Sequence, residues 1–297
     1  MKVLVTGGSG FVGRRVVAAL LASGHSVRVL ARGTRARMDG VEVVQASVLE
    51  PEGLVEACRG CEVVVHLVGI ISEVGDQTYE RVHVDGTRHL LEAARAAGVR
   101  RWVQMSALGA RPEARARYQR SKAAAEALVR SSGLAWTILR PSIVYGVGDG
   151  FVNFFERMSR WSPVLPLIGG GRMQFQPIAV DSVARCFAEA LVRSGAIGRT
   201  YDLCGLERVT LREVMEAILR VTGRRRWLLP VPWAVAGFQA AVAEWVFGGV
   251  LRRPPPLNRD QLLMLMEDNI GDPGPMRREL GVEPGVFREG LGFLAAS

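Results

Sequence analysis

Tyr118 and Lys122 stand four residues apart in a stretch with helical patterning, so a helix would place both side chains on one face. A cation beside a phenol favours the phenolate and lowers the tyrosine pKa, which suits proton exchange with a substrate. The same ammonium can hydrogen-bond a ribose hydroxyl. Lysine occurs only as Lys2 and Lys122, whereas arginine is the cation everywhere else. A guanidinium fits poorly into a compact tyrosine–lysine–ribose relay, which gives the choice of lysine a chemical sense. The bland alternative is a solvated pair on an exposed helix.

A second constellation lies at the start of the chain, MKVLVTGGSGFVGR over Met1–Arg14. Lys2–Thr6 is rich in β-branched residues, as a buried strand would be, and Phe11–Ser23 reads as a helix. Between them stand Gly7, Gly10 and Gly13. A strand that turns on glycines into a helix leaves backbone N–H groups and the positive end of the helix dipole free for an anion. Glycine also lets a pyrophosphate approach the backbone closely. The pattern predicts a dinucleotide cradle; the alternative is a plain tight turn. The second strand, His25–Leu30, ends on Ala31-Arg32. An NAD-preferring site places a carboxylate about 20 positions past the glycines. Here the place belongs to Arg32, with Arg14, Arg35 and Arg37 near it, and a guanidinium forks onto a 2′-phosphate. NADP(H) is therefore expected, NADPH above NADH, unless these arginines are simply solvated.

The elements that must position these residues alternate. Val41–Gln45 is a strand, Pro51–Cys58 a helix, Glu62–Val68 a nearly uninterrupted apolar strand, and Tyr79–Ala97 a long helix. Arg101–Met105 is a strand, Ala114–Ser132 the helix carrying Tyr118 and Lys122, and Ala135–Leu139 another strand. The class is α/β: a Rossmann-like, doubly wound parallel sheet with a smaller, mostly helical C-terminal substrate domain. Gly69-Ile70-Ile71 should lie at its ligand-facing carboxyl edge.

After Arg140-Pro141 the texture changes. Tyr145–Gly150 and Pro163–Gly171 read as Gly/Pro-rich loops around a helical stretch with Phe151, Phe154 and Phe155. Gly169-Gly170-Gly171 is better read as a turn than as a second phosphate loop, because no helix-opening pattern follows. Val180–Arg193 and Leu211–Val221 are helices and Thr200–Leu203 a strand. Residues 1–145 and 172–204 are expected to form the nucleotide-binding domain, and 146–171 and 205–297 the substrate or partner domain. Val231–Leu251 carries one charge, Glu244, between arginines at both ends. Pro232, Gln239 and its glycines argue against a spanning helix. It is better read as a helix packed on the chain, or else as a face for a peripheral membrane or membrane-complex contact. Asn258–Glu267 is the last clear helix.

In 297 residues the net charge is +9, yet no block of like charge stands out, so no nucleic-acid partner is expected. Cys58 and Cys61 form one C-x-x-C with no second pair or nearby histidine, which fits packing at a turn better than redox or metal chemistry. The fold begins at once with no cleavable leader, so a cytoplasmic protein is expected, peripheral to the inner membrane face if the apolar stretch points outward.

Several ordered motifs carry a family resemblance: TGGSGFVG, VVVHLVG, YQRSK, LRPSIVYG and QPIAVDSVA. The chain resembles the extended and atypical short-chain dehydrogenase/reductases, the NAD-dependent epimerase/dehydratases. HLVGII, SALGA, RPSIVYGVGDGFVNFF and PLIGGG are most similar to a narrower branch, that of the NADPH-binding accessory subunit of respiratory complex I and its bacterial relatives. The resemblance implies Tyr118 as acid/base, Lys122 on the nicotinamide ribose, and Gly7, Gly10 and Gly13 at the pyrophosphate. Phe11, Val12, Arg14, Arg32, Ser47, Leu67, Val68, Gly69 and Pro141 complete the implied cofactor contacts. Three departures stand out. Ser47 takes the place of an aspartate near the adenine, His83 replaces an asparagine, and the substrate-orienting hydroxyl falls on Ala107 or, one residue earlier, on Ser106. Two functions stay open: an NADP(H)-dependent oxidoreductase or epimerase/dehydratase using Tyr118, Lys122 and Ser106 on an unidentified small molecule, or a catalytically silent NADPH-binding accessory or assembly protein docked on a membrane respiratory system.

Overall fold

The apolar runs become the strands of one sheet. In the computed structural model, which describes residues 1–33, 38–251 and 253–295, the sheet holds β1 (Lys2–Thr6), β2 (Ser26–Ala31), β3 (Val41–Gln45), β4 (Val63–His66), β5 (Arg101–Met105), β6 (Ala135–Pro141) and β7 (Arg199–Leu203). All its pairings are parallel, in the order β7-β6-β5-β4-β1-β2-β3. Alternate residues serve opposite faces. Val3, Val5, Val29, Val65 and Val103 pack with helices α1 (Phe11–Ala22) and α4 (Val180–Val192). Leu4, Leu30, Val64, Trp102 and Ile138 pack with α2 (Gly86–Ala96) and Val129 of α3 (Arg117–Arg130). Cover on both faces is why these strands read as continuous apolar runs. The direction of winding reverses between β1 and β4, so their carboxyl ends open the crevice where such sheets bind ligands.

The helices depart from expectation in two instructive places. The helix expected over Tyr79–Ala97 opens with a π-helical turn, Glu80–Asp85, ahead of α2. The wider turn points three consecutive residues, Val82, His83 and Val84, inward. The helix expected from Ala114 begins at Arg117, because Ala114 and Ala116 are buried ahead of it and Ala116 is extended.

The smaller core gathers Tyr145, Val152, Phe155, Val214, Ile218, Phe287 and Leu291. Pro163–Gly171 is not all loop: Val164–Ile168 is a strand paired in parallel with Trp227–Val231. Its prolines, Pro163 and Pro166, masked an alternation that sends Leu165 and Leu167 inward. Gly169–Gly171 is a turn of positive φ. The stretch expected as one packed helix over Val231–Leu251 ends a strand at Val231, then forms a helix at Trp233–Ala243 and a π turn at Glu244–Val250. Only Ala236 and Ala240 of that helix are fully buried; Trp233 packs on Gly169, while Val235, Phe238 and Val242 face outward. Asn258 caps Arg259–Leu265 in a reciprocal box with Gln261, and a further helix, Gly274–Leu280, follows.

The two parts interleave more finely than the expected boundaries. Phe175 belongs to the smaller core, whereas Met276 and Leu280 pack on the sheet beside α4. Cys58 and Cys61 are buried at the helix–strand turn, and burial pushes the Cys58 thiol up to about 12, so it packs as a small apolar residue. Among the described residues no helix is long and apolar enough to cross a membrane.

Candidate cofactor and active site

β1 delivers the chain to Gly7, whose φ of 72° admits no other residue without strain. A Cβ there would lie 3.1 Å from the Val68 amide nitrogen and 3.2 Å from the Leu67 carbonyl carbon. A Cβ on Gly13 would overlap the Gly7 carbonyl oxygen and stand 2.7 Å from the Gly8 Cα. Loop, helix and the end of β4 therefore meet backbone to backbone. Gly10 begins α1 with no side-chain cap and no acidic residue in the first turn. The N–H groups of Phe11, Val12 and Gly13 thus have no acceptor within the helix and face an anion site.

The other sequence-predicted positions line the same carboxyl edge. Arg32 lies exposed just past β2, donating to Gln77 Oε1 at 3.2 Å. Arg14, in the first turn of α1, donates to the Ser9 carbonyl. Arg35 and Arg37 lie outside the described residues. Ser47 follows β3, where its hydroxyl accepts the Leu49 N–H. Leu67, Val68 and Gly69 follow β4, and buried Pro141 ends β6 with its carbonyl accepting the Leu108 N–H at 2.9 Å.

α3 brings Tyr118 and Lys122 to this edge. Lys122 is 2% exposed, and among the described residues its ammonium makes one long hydrogen bond, to the Met105 carbonyl at 3.4 Å. It stands 5.9 Å from the centre of the Tyr118 ring, and a Cβ on Gly69 would lie 3.0 Å from it. Burial lowers the Lys122 pKa to about 8, against the pull of Glu126 one turn on. The tyrosine departs from expectation: burial raises the phenol to about 12 and no cation offsets it. At neutral pH the pair is a charged lysine and a protonated phenol, so Tyr118 is poised as a proton donor.

His83 is neutral. Its Nε2 accepts the Ile70 N–H at 3.0 Å, so the proton sits on Nδ1 and goes to Ser121 Oγ at 2.8 Å, which in turn donates to the Tyr118 carbonyl. Burial, with Lys122 nearby, pushes its pKa down to about 2. His83 therefore ties the loop after β4 to α3, and its ring meets Tyr118 edge-on and stacks on Tyr79. Beneath it, Thr87 donates to the His83 carbonyl at 2.6 Å. His66 Nε2–H consequently donates to Thr87, and Nδ1 accepts from Thr6 at 2.6 Å. Sequence reasoning named His83 but found neither this chain nor Thr6, His66 and Thr87, since threonine and histidine in strands and helices carry no spacing signal.

Ser106 is 2% exposed beside Glu126, whose buried carboxylate is forked by Arg140 and paired with Arg130. The Ser106 hydroxyl is buried and has no hydrogen-bond partner among the described residues, and Ala107 beside it has no hydroxyl to offer. Asp260 was also missed. Its carboxylate accepts the N–H groups of Arg117 and Tyr118 at 2.7 and 2.9 Å, capping α3 from another part of the chain. Asn258, two residues before it, donates to the Ile71 carbonyl and to Ser72 Oγ.

Lys122 burdens the fold. Below pH 8 both folded and unfolded chains hold its proton and the burial penalty is complete. Between about 8 and 10.5 the unfolded chain holds a proton the folded chain has released, so stability rises with pH across that window, by about 3 kcal/mol in all. Lys122→Met should therefore stabilise the cofactor-free protein at pH 7 by roughly 1–3 kcal/mol. Its advantage over wild type should shrink from pH 8 to 10.5; urea unfolding across that range checks both points.

A glycine cradle with open amides, and a buried lysine short of partners beside a phenol, fit a dinucleotide: pyrophosphate on the α1 amides, ribose on Lys122. The class is a nucleotide-binding Rossmann protein with a tyrosine beside a buried lysine at the crevice. Residues 7–153 match the family described as NAD(P)H-binding. The ceramide reductase of Caulobacter vibrioides is 34% identical over 238 residues, covering 77% of this chain and 73% of that one. NADH dehydrogenase [ubiquinone] 1 alpha subcomplex subunit 9 from mitochondria of Arabidopsis thaliana is 29% identical, covering 90% and 70%. The UDP-glucose 4-epimerase of Thermus thermophilus, solved with NAD, superposes with a TM-score of 0.74 at 28% identity, covering 100% and 98%. The chain belongs to the extended short-chain dehydrogenase/reductase family.

Proposed function

We propose that this NAD(P)H-binding protein is an NADPH-dependent reductase in which Tyr118 protonates the carbonyl oxygen of a substrate carried on a hydrocarbon chain. When bound, the nicotinamide supplies the hydride. Lys122 holds the ribose, and its charge gains the hydrogen bonds that the protein alone leaves short. The α1 amides hold the pyrophosphate. The observation that carries this reading is Lys122 itself, a buried ammonium with one 3.4 Å partner beside a protonated phenol. Such a charge is retained against its burial cost where a ligand completes it. With Ala107 in place of a hydroxyl, Tyr118 is the side chain assigned to the developing oxyanion, and that wall of the site is less polar. The ceramide reductase relative supports a lipid-like substrate. The test is NADPH consumption with long-chain ketones, including 3-oxo acyl compounds and 3-ketosphingoid bases; no consumption with any of them would count against the reading.

The preference for NADPH rests on Arg32, which stands past β2 where a carboxylate would repel a 2′-phosphate. Its present partner, Gln77, is neutral and exchangeable. Wild type is expected to bind NADPH at least about tenfold more tightly than NADH, and Arg32→Ala to erase most of that ratio. Fluorescence titration of both nucleotides measures it, and equal affinities in wild type would remove the assignment.

A second reading is supported by Ala107 and by the mitochondrial complex I relative: NADPH held as a structural ligand in an accessory protein. It predicts stoichiometric NADPH that survives purification and is not oxidised by any carbonyl compound.

A further inference from the structure

The outer face of the smaller domain exposes Trp161, Trp227, Phe238 and Trp245 by 89%, 80%, 72% and 71%. These side chains are not scattered. In the ribbon of Val164–Ile168 and Trp227–Val231, Trp227 pairs with Val164, and alternation sends Leu165 and Leu167 to the core while Val164, Trp227 and Leu229 face out. The helix Trp233–Ala243 sits on Ile168 and Val231 at the far end of that ribbon, through Ala236 and Ala240. Its opposite side carries Val235, Phe238 and Val242, and Trp245 continues the stripe one turn on.

Basic residues outnumber acidic ones in the segments that flank this surface. Arg157, Arg160, Arg224, Arg225, Arg226 and Arg253 belong to the flanking segments. Arg160 and Arg224 pair with Glu156, and Arg259 pairs with Glu244, so the excess positive charge of these segments is carried by Arg157, Arg225, Arg226 and Arg253.

We infer that this face docks on an anionic membrane surface, with the aromatic rings in the headgroup layer and the arginines against lipid phosphates. Indole and phenyl rings concentrate at that depth, and basic residues beside an apolar stripe add attraction to anionic lipid. The helix lies along the surface. Strand addition by a protein partner is disfavoured because Pro166 and Pro230 remove donors from the ribbon's two strands. A two-fold dimer through this face would set arginine against arginine. The inference is independent of the proposed reaction.

The test is flotation of the full chain with vesicles of phosphatidylglycerol and phosphatidylcholine, against vesicles of phosphatidylcholine alone. Wild type is expected to float with the anionic vesicles, at least about tenfold more than with neutral ones at low salt, with a blue shift of tryptophan emission. The combined variant Trp227→Ser, Phe238→Ser, Trp245→Ser should lose at least about tenfold of that partition while binding NADPH as wild type does. Wild type left unbound by anionic vesicles would overturn the inference. So would a concentration-dependent dimer, seen by sedimentation and abolished by the same variant, because a second copy would then be the occupant.

Discussion

Replacing Tyr118 by phenylalanine should lower the rate of carbonyl reduction by about 10³-fold, the usual worth of a positioned general acid. NADPH affinity should change by no more than about twofold, because in the proposed reading Lys122 and the α1 amides hold the nucleotide and the phenol does not. The ring packs edge-on to His83 and Tyr79. Phenylalanine keeps that packing, so the loss would report the hydroxyl rather than a disturbed fold. The direction of the pKa shift adds a second readout. With the phenol raised to about 12 and Lys122 lowered to about 8, an alkaline fall in cofactor affinity should centre near pH 8 and persist in Tyr118→Phe. Steady-state rates with a turned-over ketone, together with nucleotide titrations from pH 6 to 10, separate these effects. Unchanged turnover in the variant would remove Tyr118 from the chemistry.

Gly13→Ala should have the other large effect. Its methyl group would enter the Gly7 carbonyl oxygen, and the neighbouring Gly8 Cα at 2.7 Å leaves it no escape. Both contacts are backbone, so relief requires α1 to move away from the loop that presents its amides. We expect NADPH affinity to fall by at least about 100-fold and the cofactor-free protein to lose roughly 2–3 kcal/mol. Gly195→Ala is the matched control, since a Cβ there meets nothing within 4 Å. Nucleotide titration and urea unfolding measure both quantities. An alanine variant that binds NADPH normally would show that the loop does not cradle the pyrophosphate.

The sheet was legible because burial on both faces writes itself as unbroken β-branched runs, and the cradle because close backbone approach demands glycine at fixed spacing. Tyr118 and Lys122 were legible because helical spacing alone puts them on one face. What escaped depends on tertiary surroundings. The strand Val164–Ile168 was hidden by prolines that its short parallel ribbon tolerates. The π turn at Glu80–Asp85 follows from three consecutive inward side chains, which no helical period describes. The expected lowering of the Tyr118 pKa failed because the ammonium lies 5.9 Å from the ring centre while burial acts on the hydroxyl directly. In the sequence His83 reads only as a departure from an expected asparagine, and its acceptance of the Ile70 N–H shows it to be a neutral brace.

The Asp260 carboxylate at the start of α3 comes from 142 residues beyond Tyr118. Its consequence concerns how such a protein can be recombined. Grafting the C-terminal region of a relative onto this nucleotide-binding half would import a new pocket and, with it, a new residue at the head of the helix that bears the tyrosine. A graft that supplies no carboxylate there would still hold its nucleotide but would let the first turn of that helix fray. The C-terminal region and the alignment of Tyr118 are thereby inherited as one unit.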